Sequence, residues 1–419
     1  MYWHHRLTRK SSILVIVLSA IFLCGTYWST RHFSNISKNE NFESFVAASS
    51  ETSDELDEDL PQVSLETKLK MAIDKLSAKG ISPSALMLEN LYYIPSEVPY
   101  ESYNNTILHQ PKSCKTQTLL SILVPSNPAS IQERETIRET WGSVARGHKW
   151  PRHMQNYDVR VFFVLGTIGD RNLSEFVDSV AEHKYMSQGT GVNKIEQIDP
   201  INGGPVNDSD DAIETKAYVE SIVQQEIKSF DDIIQFDMID TYANLTRKLL
   251  LAFGWLIKSC HVSQFIMKAD QDVFVNVPLL YTLLTHYAHK NTIYGHIYPN
   301  NWVERQGKWA VDKRTLPVDQ YPIYAAGNAY IMSVDAAATV LRLAPYFPYV
   351  PVEDAFITGI LASVGDVDRI HMSGFTKWSD PLPDECEFIN NEIYVGNNAT
   401  VHDLRIIWWH IMIPNIAGC

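Results

Sequence analysis

The feature that most constrains this fold is a series of short apolar runs separated by helical patterns. Leu119–Val124 (LLSILV) and Val159–Leu165 (VRVFFVL) are near-continuous apolar segments, typical of strands covered on both faces. Asp232–Phe236 and Phe265–Val275 predict further strands, and Leu245–Cys260 predicts a helix that is apolar on most of its surface. Strands alternating with helices predict an α/β layer fold with a mostly parallel central sheet.

Composition excludes several other classes of protein. The 419 residues include 35 basic and 49 acidic side chains, for a net charge of −14. A protein that binds a phosphate backbone needs a basic face, so this balance argues against nucleic-acid binding. Five cysteines are too few for a disulfide-scaffolded miniature fold. Four of them lie outside the first apolar run, and the sequence leaves all three of their full pairings open.

The first apolar run, Ser11–Trp28, carries no charge and is long enough to span a membrane. Basic residues precede it, which predicts a cytosolic tail over residues 1–10, a transmembrane signal anchor over 11–28 and a lumenal remainder. A cleaved signal peptide is the alternative, but its apolar region is usually shorter. Residues 29–113 are interpreted as a lumenal stem, solvated to about residue 61, and 114–419 as the catalytic domain. Leu65–Ala78 is a candidate amphipathic helix.

Glycosylation sequons support the lumenal interpretation. A single Asn-X-Ser/Thr tripeptide is common by chance, but several in a chain assigned outside the cytosol are consistent with that assignment. The candidate acceptors are Asn35, Asn104, Asn172, Asn207, Asn244 and Asn398.

The most informative segment for function is Gln264–Asn276 (QFIMKADQDVFVN), an apolar run that ends in Asp270 and Asp272. In an extended chain, residues two apart face the same side, which would direct both carboxylates to one spot and Gln271 away. Paired carboxylates at a strand's carboxyl end suit a divalent cation that bridges a diphosphate. The alternative is a polar turn after a strand.

A second acidic pair, Glu353–Asp354, precedes the apolar run AFITGILA. A carboxylate there is a candidate general base for an attacking hydroxyl. The alternative is a helix N-cap.

A helix predicted from Ser130, with Glu133 completing a capping-box pattern, carries two arginines. Arg134 and Arg138 lie four residues apart on one face, a spacing suited to holding phosphate oxygens. A surface ion pair between Arg138 and a neighbouring glutamate is the alternative. The sequence contains no GxxxxGK[ST], GxGxxG, HExxH or GxSxG motif, so Walker-type, dinucleotide-binding, zincin and serine-hydrolase chemistry lack their main support.

Together these residues resemble the Golgi beta-1,3-glycosyltransferase family, which includes beta-1,3-galactosyl- and beta-1,3-N-acetylglucosaminyltransferases. The match runs over most of residues 115–419. The similar segments, in family order, are Arg134–Gly142 (RETIRETWG), Phe163–Gly166 (FVLG), Asp237–Lys248 (DMIDTYANLTRK), Lys268–Asn276 (KADQDVFVN), Tyr321–Ser333 (YPIYAAGNAYIMS), Glu353–Gly359 (EDAFITG), Gly374–Phe375 and Val401–His402.

The resemblance implies a GT-A type fold, a UDP-sugar donor and a glycan acceptor on a glycoprotein or glycolipid. It also implies that Asp270 and Asp272 meet Mn²⁺, that His402 can complete the metal shell, and that Asp354 is the catalytic base. A lone histidine is more often structural, which is the alternative for His402. The candidate donor-binding residues are Arg134, Arg138, Lys268 and Asp270. A Golgi membrane protein that participates in protein glycosylation is expected, with a homodimer through the stem left open.

Three departures from the family pattern stand out. Gln271 replaces the middle carboxylate of a triple Asp but keeps both outer carboxylates. Ala355-Phe356 replaces the usual Val-Tyr, and Gly359 lacks the cysteine that often follows it.

The expected reaction is an inverting transfer that forms a beta-1,3 linkage. The rival hypothesis is a catalytically inactive lumenal relative that binds glycans or partners. A metal-dependent phosphohydrolase, which would use the same carboxylates, is the third.

Overall fold

The computed structural model describes residues 105–112, 114, 118–169, 208–260, 263–286, 288–299, 301–316, 318–347, 349–413 and 418–419. The predicted cytosolic tail, the anchor, most of the stem and the candidate helix Leu65–Ala78 lie outside this set. So do the sequons at Asn35, Asn104, Asn172 and Asn207. Among the residues described, no helix combines the length and apolar character needed to cross a membrane. The domain boundaries therefore stay predictions.

Strands and helices alternate along the described chain. The strands are β1 (Ile107–His109), β2 (Thr118–Pro125), β3 (Val159–Thr167), β4 (Ile233–Ile239), β5 (Ser263–Ala269), β6 (Phe274–Val275), β7 (Thr292–Tyr298), β8 (Tyr324–Ser333), β9 (Asp368–His371) and β10 (Val395–Gly396). The α-helices are α1 (Ile131–Glu139), α2 (Asp208–Ser229), α3 (Leu245–Ser259), α4 (Val277–His286), α5 (Val334–Leu343), α6 (Ala362–Val364), α7 (Glu385–Ile389) and α8 (Val401–Met412). A π-helix spans Ala355–Leu361, and 3-10 turns span Trp141–Arg146, Tyr242–Asn244 and Ala344–Tyr346.

Eight of these strands form one sheet in the order β1-β4-β3-β2-β5-β8-β7-β9. At its centre, β2 pairs in parallel with β3 and β5, and β3 pairs in parallel with β4. β8 is antiparallel to β5 and β7, whereas β9 is parallel to β7. The prediction of a mostly parallel central sheet is confirmed, and the mixed α/β arrangement fits a GT-A-like fold. A separate two-stranded sheet joins β6 to β10.

Alternate residues of the central strands supply two hydrophobic layers, one on each face of the sheet. In β3, Phe162 and Val164 pack in the layer that contains α3 and α5. Phe163 and Leu165 pack in the opposite layer with α4 and α8. This alternation follows from the two-residue period of a strand, and coverage of both faces explains why the strand sequences are apolar throughout.

The carboxyl ends of β2 and β5 meet at one edge of the sheet, because these two strands are parallel neighbours in register. Leu123 of β2 lies opposite Lys268 of β5. The antiparallel strand β8 brings Ala329 opposite Ala269. The loop after β2, the turn after β5 and the start of β8 therefore converge at this edge, as expected for a ligand site in an α/β sheet.

Two local predictions need correction. The segment Phe265–Val275 is not one strand, because β5 ends at Ala269 and a turn precedes β6. The helix after β2 begins at Ile131 as predicted, but the Ser130 side chain makes no capping hydrogen bond. Its hydroxyl instead accepts a hydrogen bond from the Gln271 amide.

The cysteine pairing that the sequence left open is resolved into two disulfides. Cys114–Cys260 connects the chain before β2 to the end of α3. Cys386–Cys419 connects α7 to the carboxyl terminus. The two bridges close loops with sequence separations of 146 and 33 residues, so each restricts the unfolded chain and stabilises the domain.

Candidate active site

The turn after β5 carries the two aspartates predicted to meet a metal. The Asp270 backbone N–H donates to the Asn328 carbonyl at 2.9 Å, and the Asp272 carbonyl accepts from the Ala399 N–H at 2.9 Å. The turn is thus fixed to the start of β8 on one side and to the segment before α8 on the other. A turn, and not the extended chain assumed from the sequence, positions these carboxylates.

The Gln271 side chain is held by two serines of the loop after β2. Its side-chain carbonyl accepts from the Ser126 hydroxyl at 3.2 Å, and its amide nitrogen donates to the Ser130 hydroxyl at 3.1 Å. The side chain therefore connects the turn to the loop after β2. An uncharged amide is suited to this contact. The replacement of the middle Asp of the family pattern by Gln271 therefore leaves Asp270 and Asp272 unchanged.

Lys268 lies beneath the turn and is almost completely buried, with 1% of its surface exposed. Its ammonium lies 2.7 Å from Asp270 Oδ1 and 3.8 Å from Glu353 Oε2, and it donates to the Gly327 carbonyl. These contacts correct the prediction that Lys268 binds the donor. The side chain has no access to a ligand and instead orients Asp270 and offsets the charge of two carboxylates.

Glu353 is the buried member of the second acidic pair. The Tyr330 hydroxyl donates to Glu353 Oε1. Burial, together with the charges of Asp354 and Asp270, outweighs the effect of Lys268 and raises the pKa of Glu353 to about 8. Nothing in the sequence distinguished this glutamate from an N-cap residue, because its partners come from strands β5 and β8.

Asp354 is half-buried beside the backbone of Gly327. Its Oδ1 accepts from the Ala355 N–H at 2.8 Å, so it also caps the π-helix that follows. A Cβ atom at Gly327 would lie 2.8 Å from Asp354 Oδ2, which shows how closely that backbone approaches the carboxylate. Burial raises the pKa of Asp354 to about 6, against the opposing effects of the Ala355 amide and Lys268. This pKa suits a general base near neutral pH.

Asp272 is the more exposed aspartate of the turn. Desolvation of its carboxyl, together with the charge of Asp270, raises its pKa. Within the described ranges, no group of three His, Cys, Asp or Glu side chains converges as a metal cage. Hard divalent cations in phosphate-processing sites are commonly held by one or two carboxylates plus substrate oxygens. Two carboxylates are compatible with a site of that kind, and metal binding by Asp270 and Asp272 stays a prediction.

His402 lies in the first turn of α8 and is exposed. The segment that carries it is attached to the turn after β5, because the Ala399 N–H donates to Asp272. The fold therefore brings His402 to the same region as Asp272, and its role as a ligand stays a prediction.

A group of tyrosines surrounds Asp354, and the sequence analysis did not identify it. Burial and the charge of Asp354 raise the pKa of Tyr324 to about 12, and that of Tyr242 further. The Asn301 amide donates to the Tyr324 hydroxyl at 2.7 Å. These phenols stay protonated at neutral pH and supply hydroxyl groups beside the carboxylate. The sequence YPIY, with Tyr321 and Tyr324 three residues apart, was the only indication of this group in the sequence.

Comparison with known proteins points to the same chemistry. The model of the Galactosyltransferase family matches residues 211–373, which include the turn after β5 and the Glu353–Asp354 pair. Beta-1,3-galactosyltransferase 5 of Homo sapiens is 29% identical over 262 residues, covering 62% of this chain and 67% of that protein. The Gorilla gorilla gorilla protein of the same name is 29% identical over 246 residues, covering 58% of this chain and 65% of its own length. Lactosylceramide 1,3-N-acetyl-beta-D-glucosaminyltransferase B of Danio rerio is 26% identical over 318 residues, covering 74% and 70%.

The chain is thus similar to beta-1,3-galactosyl- and 1,3-N-acetyl-beta-D-glucosaminyltransferases, as the resemblance in the sequence implied. These matches support a hexosyltransferase.

The transferase does not present Arg134 and Arg138 to a ligand, in contrast to the prediction that they bind the donor. Arg134 is fully buried, and its guanidinium contacts Glu226 at 2.6 Å and backbone carbonyls of the loop after β2. Arg138 pairs with Glu226 at 2.6 Å and with Asp232 at 2.8 Å. Both guanidinium groups therefore form ion pairs inside the domain. The alternative of a surface ion pair with a neighbouring glutamate is also wrong, because Arg138 is buried and its partners come from α2 and the loop before β4.

A second buried pair in the transferase lies close to the edge where β2, β3 and β4 end. The Lys248 ammonium is 2.8 Å from Asp240 Oδ1 and donates to the Ser126 carbonyl at 3.2 Å. Asp240 Oδ2 accepts from the Gly166 N–H at 2.8 Å. The pair connects the segments Phe163–Gly166 and Asp237–Lys248 of the family pattern to the loop after β2. Neither Asp240 nor Lys248 was predicted as a site residue.

Two of the six predicted sequons lie in the described part of the transferase. The Asn244 side-chain amide donates to the Ile239 carbonyl at 2.9 Å. The Asn398 amide nitrogen donates to both the Trp378 and the Asp380 carbonyls, at 3.0 and 2.9 Å. In both cases the nitrogen that would carry a glycan already has a structural contact.

Proposed function

We propose that the transferase moves a hexose or N-acetylhexosamine from a UDP-sugar to a glycan hydroxyl, with inversion, to form a beta-1,3 linkage. The observation that carries this proposal is Asp354, a half-buried carboxylate with a pKa of about 6. It belongs to the same cluster as the aspartate turn, through Lys268 and Glu353. The names of the relatives state beta-1,3-galactosyl transfer and 1,3-N-acetylglucosaminyl transfer to lactosylceramide, and these support the linkage and the sugar class.

In the proposed reaction, Asp354 is the general base. The acceptor oxygen attacks the anomeric carbon while the bond from that carbon to the UDP oxygen breaks on the opposite side. The acceptor proton moves to Asp354. Its pKa of about 6 keeps it mostly ionised at pH 7, and a hydrogen bond from Ala355 fixes its other oxygen. An alpha-linked donor thus gives a beta-linked product.

Asp270 and Asp272 would hold a divalent cation such as Mn²⁺, with His402 as a further ligand. Such a cation supplies electrostatic stabilisation of the charge that develops on the UDP leaving group. The protein's own contribution is to hold Asp270 in place through Lys268 and to fix the turn through Asn328 and Ala399.

Cellular location and partners are part of the same proposal. The uncharged run Ser11–Trp28, preceded by basic residues, supports a single-pass type II protein of the Golgi membrane with a lumenal catalytic domain. The acceptor would be a glycan on a glycoprotein or glycolipid, and pairing of two chains through the stem is compatible with the sequence.

The test uses the full-length protein in detergent with a panel of UDP-sugars and added Mn²⁺. Transfer is expected with at least one donor, and Asp354→Asn is expected to lower turnover by about 10²–10⁴-fold while UDP affinity is retained. Asp368→Asn, an exposed carboxylate on β9, is the matched control and should remain active. Full activity of Asp354→Asn would remove the residue from its role.

A UDP titration with and without Mn²⁺ separates the alternatives. The proposal expects Mn²⁺ to tighten UDP binding in the wild type and this gain to disappear in Asp272→Asn. A protein that binds UDP but transfers from no donor would be the inactive relative. Phosphate release without an acceptor would indicate a phosphohydrolase.

A further inference from the structure

Two tryptophans outside the predicted motifs form a pair at the surface. The ring centroids of Trp309 and Trp378 lie 5.4 Å apart, with an angle of 57° between the ring planes. Trp378 is 60% exposed, whereas Trp309 is partly buried against the hydrophobic layer that contains α3. A single exposed apolar side chain is common, but adjacent aromatic rings form a contiguous patch that can serve as a binding surface.

Lys308 lies between the pair and Tyr242, a tyrosine of the active site. The Lys308 ammonium is 5.9 Å from the centroid of the Trp309 ring and 5.2 Å from that of Tyr242. Tyr242 in turn lies within electrostatic reach of Asp354, whose charge helps burial to raise the pKa of this phenol. Tyr242 and Lys308 therefore connect the region of the proposed base to the tryptophan pair.

Tyr298 and Asp380 connect the region of Asp354 to Trp378 as well. Tyr298 lies within reach of both Asp354 and Asp380, and their charges add to the effects of burial and Tyr324 in raising its pKa. Asp380 is two residues beyond Trp378, and the Asn398 amide donates to the carbonyls of both. The Asn398 side chain thus fixes the backbone that carries Trp378, and the contact with Trp309 positions its ring.

We propose that Trp309 and Trp378 bind a sugar ring of the acceptor glycan, adjacent to the residue whose hydroxyl reacts at Asp354. This inference rests on the proposed function, because it assumes that the acceptor approaches Asp354. A pyranose ring has an apolar C–H face, which packs on a flat indole, and a rim of hydroxyl groups. Lys308, 5.9 Å from the centroid of the Trp309 ring, and Asp380, two residues beyond Trp378, would supply a donor and an acceptor for that rim.

The chemistry of the pair favours the acceptor over the other occupants. The UDP diphosphate needs the end of the site with Asp270 and Asp272, where a cation can bridge. A protein partner or a lipid surface would need a broader apolar patch than two rings set between charged residues. A glycan needs an area of this size with polar groups at its border.

The test measures glycan binding without donor, so that it does not depend on transfer. The probes are methyl β-lactoside and methyl β-N-acetylglucosaminide at millimolar concentration, observed by saturation-transfer NMR with the full-length protein in detergent. Trp378→Ala and Trp309→Ala should each weaken binding of at least one glycoside by about tenfold. Trp378→Phe should restore most of the affinity. Trp409→Ala on α8, an indole that is 43% exposed, is the control and should bind as the wild type does.

In turnover, Trp378→Ala should raise the KM for the acceptor and leave UDP affinity unchanged. The proposal would be overturned by unchanged glycoside affinity in both variants, by an equal loss in Trp409→Ala, or by a wild type that binds neither glycoside. If Trp378→Ala and Trp309→Ala lose binding but Asp354→Asn retains transfer, the sugar-binding role of the tryptophan pair stands and the assignment of the base fails.

Discussion

Two clusters of buried charge in this domain differ in their balance. The arginine cluster consists of Arg134, Arg138, Glu226 and Asp232, two cations with two carboxylates. The lysine cluster consists of Lys268, Asp270, Glu353 and Asp354, one cation with three carboxylates. Asp272 adds a further acidic group at the exposed border of the second cluster.

The consequences of this difference appear in the acidities of the carboxylates. In the arginine cluster, burial would raise the pKa of Glu226, but hydrogen bonds and charge from Arg134 and Arg138 lower it. In the lysine cluster, burial and excess negative charge raise the pKa of Glu353 and Asp354. A balanced network holds its charges in one state, whereas an acid-rich one gains stability by accepting a proton or a cation. The first is suited to hold the fold and the second to act on a substrate.

The largest effect is expected from breaking the balanced cluster. Glu226→Ala leaves two buried guanidinium groups without their shared carboxylate and should lower the free energy of unfolding by about 3–5 kcal/mol. Denaturant unfolding of the full-length protein measures this. Glu220→Ala, an exposed residue on the same helix, should change the stability by less than about 0.5 kcal/mol. Equal stability of the two variants would show that the arginine cluster is not structural.

The next largest effect is expected from a substitution at Gly327, whose backbone lies against the Asp354 carboxylate. Gly327→Ala places a Cβ 2.8 Å from Asp354 Oδ2, so the carboxylate must move. A displacement of this kind should lower turnover by about 10²-fold and leave UDP binding intact. Gly254→Ala is the matched control, because a Cβ there has no heavy atom within 4 Å. A Gly327→Ala variant that transfers at the wild-type rate would contradict the close approach that we describe.

A smaller effect is expected from pH. Transfer requires ionised Asp354, whose pKa is raised to about 6, so turnover should be constant above that pH. Below it, turnover should fall about tenfold per pH unit. The sign for stability is opposite: a raised pKa in the folded state favours the protonated form, so Asp354 destabilises the fold as pH rises through 6. A turnover profile that is flat between pH 5 and 8 would exclude Asp354 as the titrating base.

The smallest effect concerns the neutral side-chain amide of Asn398, which is compared with the charged groups of the arginine cluster. Both hydrogens of the Asn398 amide are donated to carbonyls of the Trp378–Asp380 turn, so this nitrogen is as fully partnered as the arginine cluster. We expect Asn398 to carry no glycan in the folded protein, although its sequon is intact. Peptide mapping by mass spectrometry measures this. An occupied Asn398 together with wild-type transfer would show that the turn does not need the contact.

The sequence predicted much of the fold because both faces of its central strands are covered. The apolar runs at β2, β3 and β4 and the helix α3 needed no tertiary information. The pair Asp270 and Asp272 was also visible, since an apolar strand ends directly before it.

The partners of charged residues were not predictable. Arg138 meets Asp232 and Glu226, which lie 94 and 88 residues further along the chain, and local spacing suggested neighbouring glutamates instead. Lys268 appeared as a donor ligand because the sequence does not show burial. The contact of Trp309 with Trp378 likewise depends on how two distant loops fold together.

The central claim is that the acid-rich cluster performs the chemistry and the balanced one holds the fold. Transfer rate and melting temperature, measured together for Asp354→Asn and Glu226→Gln above pH 6, test this most directly. The account predicts that Asp354→Asn loses transfer while its melting temperature is unchanged or raised. It predicts that Glu226→Gln loses melting temperature while its folded fraction still transfers. Retention of transfer by Asp354→Asn, or loss of transfer without loss of stability in Glu226→Gln, would contradict it.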